Sequence, residues 1–566
     1  MSLPPSDQPR GDALDALVAD EVSTGSTRET GTTRETGTTR ETGSTRETGS
    51  RLDAWWHRLM STPLRRRLYN WGAPAIVLIV ASVTRLWNLG SPHSLVFDET
   101  FYVKDAWSLW NLGYSATWPA EADTSFNSGL TDIFHSDPSF VVHPPLAKWL
   151  IGLGMAAFGP DSSVGWRIST ALIGILAVAL LMVIAKKLFD STLLAVIAGG
   201  LFAIDGNAIV MSRVALLDNY VMFFALLGFG AILLDRAWAE RRLNDWMIRR
   251  AEAGRTTDWG PALWWRPWLL AAGVAFGLTS AVKWSGLYVL AAFALYSLVV
   301  DALARRRAGV VFWGTGTLIK QAPTTFLLIV PIAVVTHMTT WISWFTSAHS
   351  YNRDWAAIAG NAWTGALAWV PLPLQSWWHF QAGVYAYHVG ETRPHGYQAN
   401  PLTWLFMVRP TSMYWQSTEG GQSGCAADLC GTSITGIANP LIWWAATAAM
   451  LYLVYRLVRY REWRVGLVLT GMAAGYLPWL MYLHRTVFQF YTIAFEPYMI
   501  LGLTLVIGIV LGSRRDPAWR RGQGIRFVFL FLVLAVAISA FFWPLWAGIE
   551  LPYDLMRAHW WLPTWR

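Results

Sequence analysis

The chain has 566 residues, of which 54% are hydrophobic and only 14% are charged, and it contains 36 tryptophans. Ordinary soluble domains carry about 25% charged residues, so the composition excludes a typical soluble protein and indicates a polytopic membrane protein. The formal net charge is +8. The basic residues cluster between hydrophobic runs, as the positive-inside rule requires, and no nucleic-acid-binding motif accompanies them.

The chain begins with a polar segment, residues 1–52, that contains four near-identical hexads of the type GSTRET. This segment has almost no apolar surface to bury, so we expect it to be disordered and to lie in the cytoplasm. Residues 53–69 combine Trp55 and Trp56 with the arginine cluster 65–67. They are expected to form a short helix on the cytoplasmic membrane surface.

Eleven apolar segments of roughly membrane-spanning length follow, at about 72–90, 165–185, 191–206, 216–235, 267–282, 285–303, 320–341, 438–456, 465–483, 489–511 and 526–546. The dense arginine clusters all fall on one side if the N-terminus is cytoplasmic and the C-terminus is outside. The sequence therefore predicts an all-α membrane domain over residues 70–546. Its long outer loops would occupy about 91–164 and 342–437, and a Trp-rich outer tail would cover 547–566.

An acidic pair, Asp98 and Glu99, stands just after the first predicted span in the stretch SPHSLVFDETFYVKDAW. Carboxylates close to hydrocarbon are costly and are therefore candidates for function. Two interpretations remain open. Asp98 could cap the following helix while Glu99 favours its positive end, or the pair could supply a base that acts on an exported acceptor.

The same loop contains VVHPPLAKWLIGLG, residues 141–154. The two prolines suit a helix start, but the apolar stretch is short for a span, so we expect a helix that dips into the outer leaflet. His143 and Lys148 would then face a polar cavity. A purely structural role for His143 is the alternative.

Arg167, in GWRIST, lies at the outer start of the second predicted span. An arginine there departs from the positive-inside trend and needs an anionic partner. A phosphate is one candidate, because guanidinium offers a fork of donors. A structural pair with Asp98, Glu99 or Asp218 is the other.

Further polar residues fall near the outer ends of later spans. Lys283 and Trp284 separate two spans, and Trp284 could stack on a sugar. Arg485 and Tyr491 lie between spans nine and ten, and Glu496 lies within span ten. Eleven residues, about three helical turns, separate Arg485 from Glu496, so we expect the two to share a face. They would lie roughly 16 Å apart along the axis, so Glu496 needs a different partner or a wet cavity.

The chain has two cysteines, Cys425 and Cys430, both in the second long outer loop. An oxidising exterior would favour a small disulfide loop between them. We predict no metal site, since no clustered histidines or dense acidic group accompanies them.

The motifs FDETFY, HPPLAKW, GWRIST, SRVALLDN, SAVKWSGL, NPLTWLFMVRPTSMYW and HRTVFQFY occur in this order along residues 70–545. In this ordered set the chain resembles the protein O-mannosyltransferase family, and most closely its actinobacterial members. Like those members, it lacks the soluble domain that fungal enzymes carry in a large loop.

The resemblance implies a GT-C membrane fold, typically with eleven spans, in the plasma membrane. It also implies inverting transfer of mannose from polyprenyl-phosphate-mannose to Ser or Thr of exported proteins, without a required cofactor or divalent metal. The family's acidic pair corresponds to Asp98 and Glu99, with Asp98 as the base, and its arginine at the second span corresponds to Arg167 as a donor-binding candidate. With Lys283 and Arg485, Arg167 would form a basic clamp for the phosphate.

Two other functions remain open. A GT-C glycosyltransferase could use a lipid or cell-wall acceptor, and a transporter or flippase could also have many spans with buried charges. The long aromatic outer loops favour an enzyme. The expected partners are the lipid donor, exported proteins, membrane lipids and the secretion machinery.

Overall fold

The computed structural model describes residues 51–422 and 425–566, so the predicted repeat-containing tail lies almost entirely outside the described residues. The α-helices of the described residues are α1 (Arg51–Leu59), α2 (Pro63–Leu86), α3 (Glu99–Leu112), α4 (Ala122–Asn127), α5 (Leu146–Phe158), α6 (Ser163–Phe189), α7 (Thr192–Ile204), α8 (Gly206–Arg213), α9 (Asp218–Glu252), α10 (Pro267–Ser280), α11 (Gly286–Arg307), α12 (Trp313–Gly316), α13 (Ala322–Thr340), α14 (Ile342–Thr346), α15 (Leu372–Gly390), α16 (Pro440–Tyr460), α17 (Trp463–Tyr476), α18 (Glu496–Leu511), α19 (Ala518–Ala547) and α20 (Tyr553–Arg557). A π-helical turn, Thr317–Gln321, joins α12 to α13.

A helix lies at the position of each of the predicted spans. Within the described residues, six are long and apolar enough to cross a membrane, and a seventh is obtained if α7 and α8 count as one span bent by 60°. Asp205 lies at that bend, where its carboxylate accepts the N–H of Asn207 at 2.9 Å and so caps α8. The apolar helices α5, α10 and α18 are shorter, with 13, 14 and 16 residues.

The N-terminal boundary differs from the prediction of one interfacial helix over 53–69. The structure divides this segment, since α1 ends at Leu59 and α2 runs from Pro63 into the first predicted span. Thr62 caps α2 by accepting the N–H of Arg65 at 3.3 Å, and proline is well suited to the first helical position. The arginine cluster 65–67 therefore belongs to the first span helix.

The second outer loop departs from the all-α expectation through a small antiparallel sheet. Its strands are β1 (Thr411–Glu419), β2 (Leu429–Gly436) and β3 (Leu551–Pro552), in the order β1-β2-β3. Cys425 and Cys430 form the predicted disulfide in this hairpin, with their Cα atoms 5.8 Å apart. The C-terminal segment packs against the same region, because the buried Trp565 donates its indole N–H to the carbonyl of Met407 at 2.7 Å.

The bundle core is formed by α6 and α9 with the helices packed around them. The α9 helix packs against α10, α10 packs against α13, and α6 packs against both α5 and α7. The α5 helix also contacts α3, so the first outer loop is fixed to the membrane helices on two sides. This packing holds the acidic pair at the start of α3 against the end of the bundle where α6 begins.

Arg266, just before α10, forms a buried charge cluster with Asp235 of α9 and Asp301 of α11. All three side chains are at most 4% exposed. Removing one member of a buried ion cluster leaves the others without compensation, and this typically costs about 3–5 kcal/mol. The cluster therefore ties three helices together near the middle of α9.

Arg266→Gln should lower the free energy of unfolding by about 3–5 kcal/mol, because two buried carboxylates lose their cation. Thermal unfolding of the purified protein in detergent measures this. Arg307→Gln is the matched control, since Arg307 is 58% exposed and its 3.6 Å pair with Glu240 should contribute less than about 1 kcal/mol. Equal unfolding temperatures for the two variants would contradict the role of the cluster.

Candidate active site

Asp98 directly precedes α3, at the end of a strained loop. The preceding residue, Phe97, has φ +49°, a left-handed conformation that is uncommon for a bulky side chain. Its ring is held edge-on by Phe488 and Phe490, with centroids 5.5 and 5.7 Å away. Aromatic packing against a distant part of the chain therefore fixes the backbone that presents Asp98.

Glu99, the other member of the acidic pair, is completely buried and forms a two-pronged ion pair with Arg167. The Nε and Nη2 groups of Arg167 each donate to a different carboxylate oxygen of Glu99 at 2.8 Å. The same two oxygens also accept the backbone N–H groups of Val96, at 3.0 Å, and Ala215, at 2.8 Å. Glu99 thus joins its own loop to α6 and to the turn before α9.

The remaining N–H groups of Arg167 are also engaged. Its Nη1 and Nη2 atoms donate to the carbonyls of Leu89, Pro92 and Ser94 at 2.9 to 3.3 Å. All five N–H groups of this buried guanidinium therefore have acceptors, and none remains for a ligand phosphate. The structure favours the structural pair, and the expected role of Arg167 in binding the donor phosphate is not supported.

Asp98 differs from Glu99 because no cation among residues 51–422 and 425–566 is bonded to it. Burial raises the pKa of the Asp98 carboxyl to about 6. The positive charge of Lys283 opposes this rise, the negative charge of Asp218 adds to it, and a hydrogen bond from Tyr102 favours the ionised form. A carboxylate with this pKa is mostly ionised at neutral pH and still basic enough to accept a proton.

Lys283 reaches the site from the tight turn between α10 and α11. Gly286 permits this turn, because a Cβ there would lie 2.4 Å from the backbone nitrogen of Ser280. The Lys283 ammonium is 2.7 Å from Asp218 and 4.9 Å from the centroid of the Tyr491 ring. Of the predicted site residues, Asp98, Asp218, Lys283 and Tyr491 are thus brought together.

Arg485 contacts His388, which stacks against a second histidine, His143. Its Nη2 donates to Nδ1 of His388 at 3.1 Å, and Nε2 of His388 donates to the carbonyl of Val142 at 2.7 Å. This pattern requires the neutral tautomer of His388, whose pKa is lowered to about 4, mainly by burial. The Nε of Arg485 is buried and lacks a hydrogen-bond partner in the part of the chain that the structure describes.

His143 stacks on His388 with ring centroids 5.0 Å apart and lies 5.8 Å from the Tyr102 ring. Burial is the main cause of a pKa well below the usual histidine value, and the cations Lys283, Lys148 and Arg485 lower it further. His143 is therefore neutral at physiological pH. The positive charges of Lys283 and Arg485 both act on its ring.

Two other candidates have protein partners near the site. Lys148 pairs with Asp105 at 2.9 Å and, with His143, borders a small cavity of about 40 Å³. Trp284 stacks against Tyr385 with centroids 6.1 Å apart. Stacking of Trp284 on a sugar stays a prediction.

Glu496 is separate from this site. It is 1% exposed and accepts a hydrogen bond from the amide of Asn207 in α8 at 2.8 Å. The expected shared helical face with Arg485 is wrong, because α18 begins only at Glu496, where Pro497 suits the first turn, and Gln489–Ala494 is a 3-10 helix.

The structure adds Tyr102 and His388 to the site. Tyr102 lies four residues after Asp98, one helical turn away, so local spacing could have identified it. His388 belongs to α15, far along the chain from His143, and no local pattern connects the two. No group of three or more metal-ligating side chains occurs among residues 51–422 and 425–566.

The arrangement is one proton-accepting carboxylate near Lys283, with a second cation, Arg485, near the Tyr491 ring. Asp98 and Asp218 carry negative charge, and Lys283 and Arg485 carry positive charge around the neutral rings of Tyr102, His143 and Tyr491. Such a site can remove a proton from a hydroxyl on one side and stabilise an anionic leaving group on the other.

Comparison with known proteins gives consistent results over most of the chain. Residues 157–346 match the family model described as dolichyl-phosphate-mannose-protein mannosyltransferase. Residues 373–565 match the C-terminal four TMM region of protein-O-mannosyltransferase. Polyprenol-phosphate-mannose–protein mannosyltransferases from Mycobacterium tuberculosis and Corynebacterium glutamicum are 33% and 31% identical, and each match covers 88% of this chain and 92% or 93% of the relative.

The fold is similar to a solved structure of the Saccharomyces cerevisiae protein O-mannosyltransferase Pmt1-Pmt2 complex bound to the sugar donor, with a TM-score of 0.65. The alignment covers 92% of this chain and 95% of that chain at 15% identity, which confirms the predicted GT-C fold. With a relative 33% identical over nearly its whole length, the chain belongs to the dolichyl-phosphate-mannose–protein mannosyltransferase family of glycosyltransferases.

Proposed function

We propose that this protein transfers mannose from polyprenyl-phosphate-mannose to Ser or Thr hydroxyls of exported proteins, at the outer face of the plasma membrane. The observation that carries the proposal is the contrast within the acidic pair. Glu99 is paired with Arg167, whereas Asp98 has no ion-pair partner in the part of the chain that the structure describes, and it has a raised pKa close to Lys283. The names of the relatives supply the substrate class, and the site supplies the chemistry that such a transfer requires.

The transfer needs one base and one stabilised leaving group. The acceptor hydroxyl gives its proton to Asp98 as its oxygen forms the new bond to the anomeric carbon. The bond from that carbon to the phosphate oxygen breaks, and the electron pair leaves with the phosphate. Lys283 and the free Nε of Arg485 stabilise the resulting charge, so no second carboxylate is needed to protonate the leaving group.

Displacement from the face opposite the phosphate inverts the anomeric centre, from a β-linked donor to an α-linked product. Tyr102, one helical turn after Asp98, favours the ionised form of the base. The His388 tautomer keeps the Arg485 fork in place through the bond to Nδ1. His388 therefore positions a binding group.

Asp98→Asn should reduce the rate of mannose transfer at least about a hundredfold, because a general base typically contributes 10²- to 10⁴-fold. The assay uses purified protein, labelled polyprenyl-phosphate-mannose and a Thr/Pro-rich acceptor peptide, with size-exclusion behaviour as the check of folding. Asp137→Asn is the control, since Asp137 is an exposed aspartate of the same outer loop. Full activity of Asp98→Asn would contradict the assignment, and transfer to lipid alone would favour a lipid acceptor.

The rate of transfer should rise between pH 5 and pH 7, with a midpoint near 6, because Asp98 must lose its proton to act as a base and its pKa is about 6. His388, with a pKa of about 4, stays neutral over this range and does not contribute to the transition. The measurement is the dependence of kcat/KM for the acceptor on pH at saturating donor. A flat profile from pH 5 to pH 7, or a midpoint near 4, would contradict a raised pKa at the base.

A further inference from the structure

A second cavity, of about 280 Å³, lies far from Asp98, between the end of α9 and the segment that precedes α10. The α9 side chains on its wall are Arg242, Trp246 and Arg249, spaced four and three residues apart and therefore on one helical face. Trp264 and Trp265 form part of the opposite wall. The cavity is thus bordered by two guanidinium groups and three indole rings.

The length of α9 places this cavity on the other side of the membrane from the active site. Asp218, which pairs with Lys283, is the first residue of α9, and Arg242 and Arg249 follow 24 and 31 residues later. At 1.5 Å per residue these arginines lie about 36 and 46 Å along the helix axis from Asp218. The hydrocarbon core is about 30 Å thick, so the cavity is at the opposite membrane surface.

The segment that forms the wall opposite α9 is held in place by hydrogen bonds to other parts of the chain. Arg305, which is 1% exposed, donates to the carbonyl of Pro261 at 2.6 Å and to the side chain of Gln321 at 2.9 Å. The same Gln321 oxygen accepts the N–H of Leu263 at 3.0 Å. The carbonyl of Trp265 accepts the indole N–H of Trp238 at 3.1 Å. The segment is therefore pre-organised, which lowers the ordering cost of binding a ligand.

The two arginines of the cavity have no anion of their own. Neither guanidinium has an ion-pair or hydrogen-bond partner within residues 51–422 and 425–566. No acidic side chain lines the described part of the cavity. Arg250, by contrast, donates to the carbonyl of Thr256 at 3.2 Å and lies over the Trp246 ring. Two unpaired guanidinium groups on one face suit a phosphate group, which accepts their forked donors.

Trp264 and Trp265 indicate that such a phosphate lies at the membrane–water interface. Their side chains are 56% and 63% exposed, and exposed tryptophans next to membrane helices typically lie at the membrane–water interface. We propose that this cavity binds the phosphate group of an anionic membrane phospholipid, in the leaflet opposite to the active site. The arginines contact the phosphate, and the tryptophans contact the glycerol and upper acyl region.

The test uses full-length protein, purified and delipidated in detergent, and follows the unfolding temperature during titration with three probes. These are dihexanoylphosphatidylglycerol, dihexanoylphosphatidylcholine and inorganic phosphate. The anionic lipid should stabilise the protein most strongly, since a ligand that binds only the folded state raises its stability. The double variant Arg242→Gln/Arg249→Gln should weaken the apparent affinity for this lipid at least about tenfold, because charge-assisted hydrogen bonds are lost.

The matched control is Arg241→Gln/Arg255→Gln, which removes the same charge from two exposed arginines that do not line the cavity. It should retain the affinity of the wild type. The charge-retaining variant Arg242→Lys/Arg249→Lys should fold normally and lose affinity to an intermediate degree, which covers the case in which the glutamine variant fails to fold. Equal affinity loss in the control, equal stabilisation by phosphatidylcholine, or unchanged affinity in both cavity variants would overturn the proposal. Stabilisation by inorganic phosphate alone would overturn the lipid as the source of the phosphate.

Discussion

The buried ion pair between Glu99 and Arg167 is the interaction on which the rest of the active site depends. It connects the loop before α3 to α6 and, through the N–H of Ala215, to the turn before α9. A buried pair is stable only if its remaining polar atoms are also satisfied, because the desolvation cost of two ions is several kcal/mol each. Here the backbone carbonyls and N–H groups around it provide that compensation.

The Glu99–Arg167 pair gives the two adjacent carboxylates, Glu99 and Asp98, different environments. Glu99 faces inward, where both of its carboxylate oxygens accept hydrogen bonds from Arg167. Asp98, one residue earlier, is partly buried and bonds no cation among the described residues, so its carboxyl has a raised pKa. Lys283 and Tyr102 lie close to it. Neighbouring acidic residues with different environments are a general means of producing one structural and one reactive group. In the proposed transfer, the nearby cations would stabilise the leaving phosphate.

Features that depend on local pattern could be predicted from the sequence, and features that depend on distant contacts could not. Each apolar run does coincide with a helix, and the cysteine spacing of five residues allows a disulfide. The partner of Arg167 is 68 residues away in sequence, so its charge alone favours a phosphate and leaves a carboxylate as the alternative. His388 reaches Arg485 across 97 residues. The expected shared face of Glu496 and Arg485 is wrong, because α18 begins only at Glu496, where a continuous span is expected from the sequence.

The division between Glu99 and Asp98 is tested most directly by comparing the unfolding temperatures of Glu99→Gln and Asp98→Asn in the same detergent. Glu99→Gln should lower the free energy of unfolding by about 3–5 kcal/mol, since it leaves Arg167 buried without a counter-charge. Asp98→Asn should unfold at or above the wild-type temperature, because it removes a charge that burial already disfavours. A stable Glu99→Gln variant together with an unfolded Asp98→Asn variant would contradict the account.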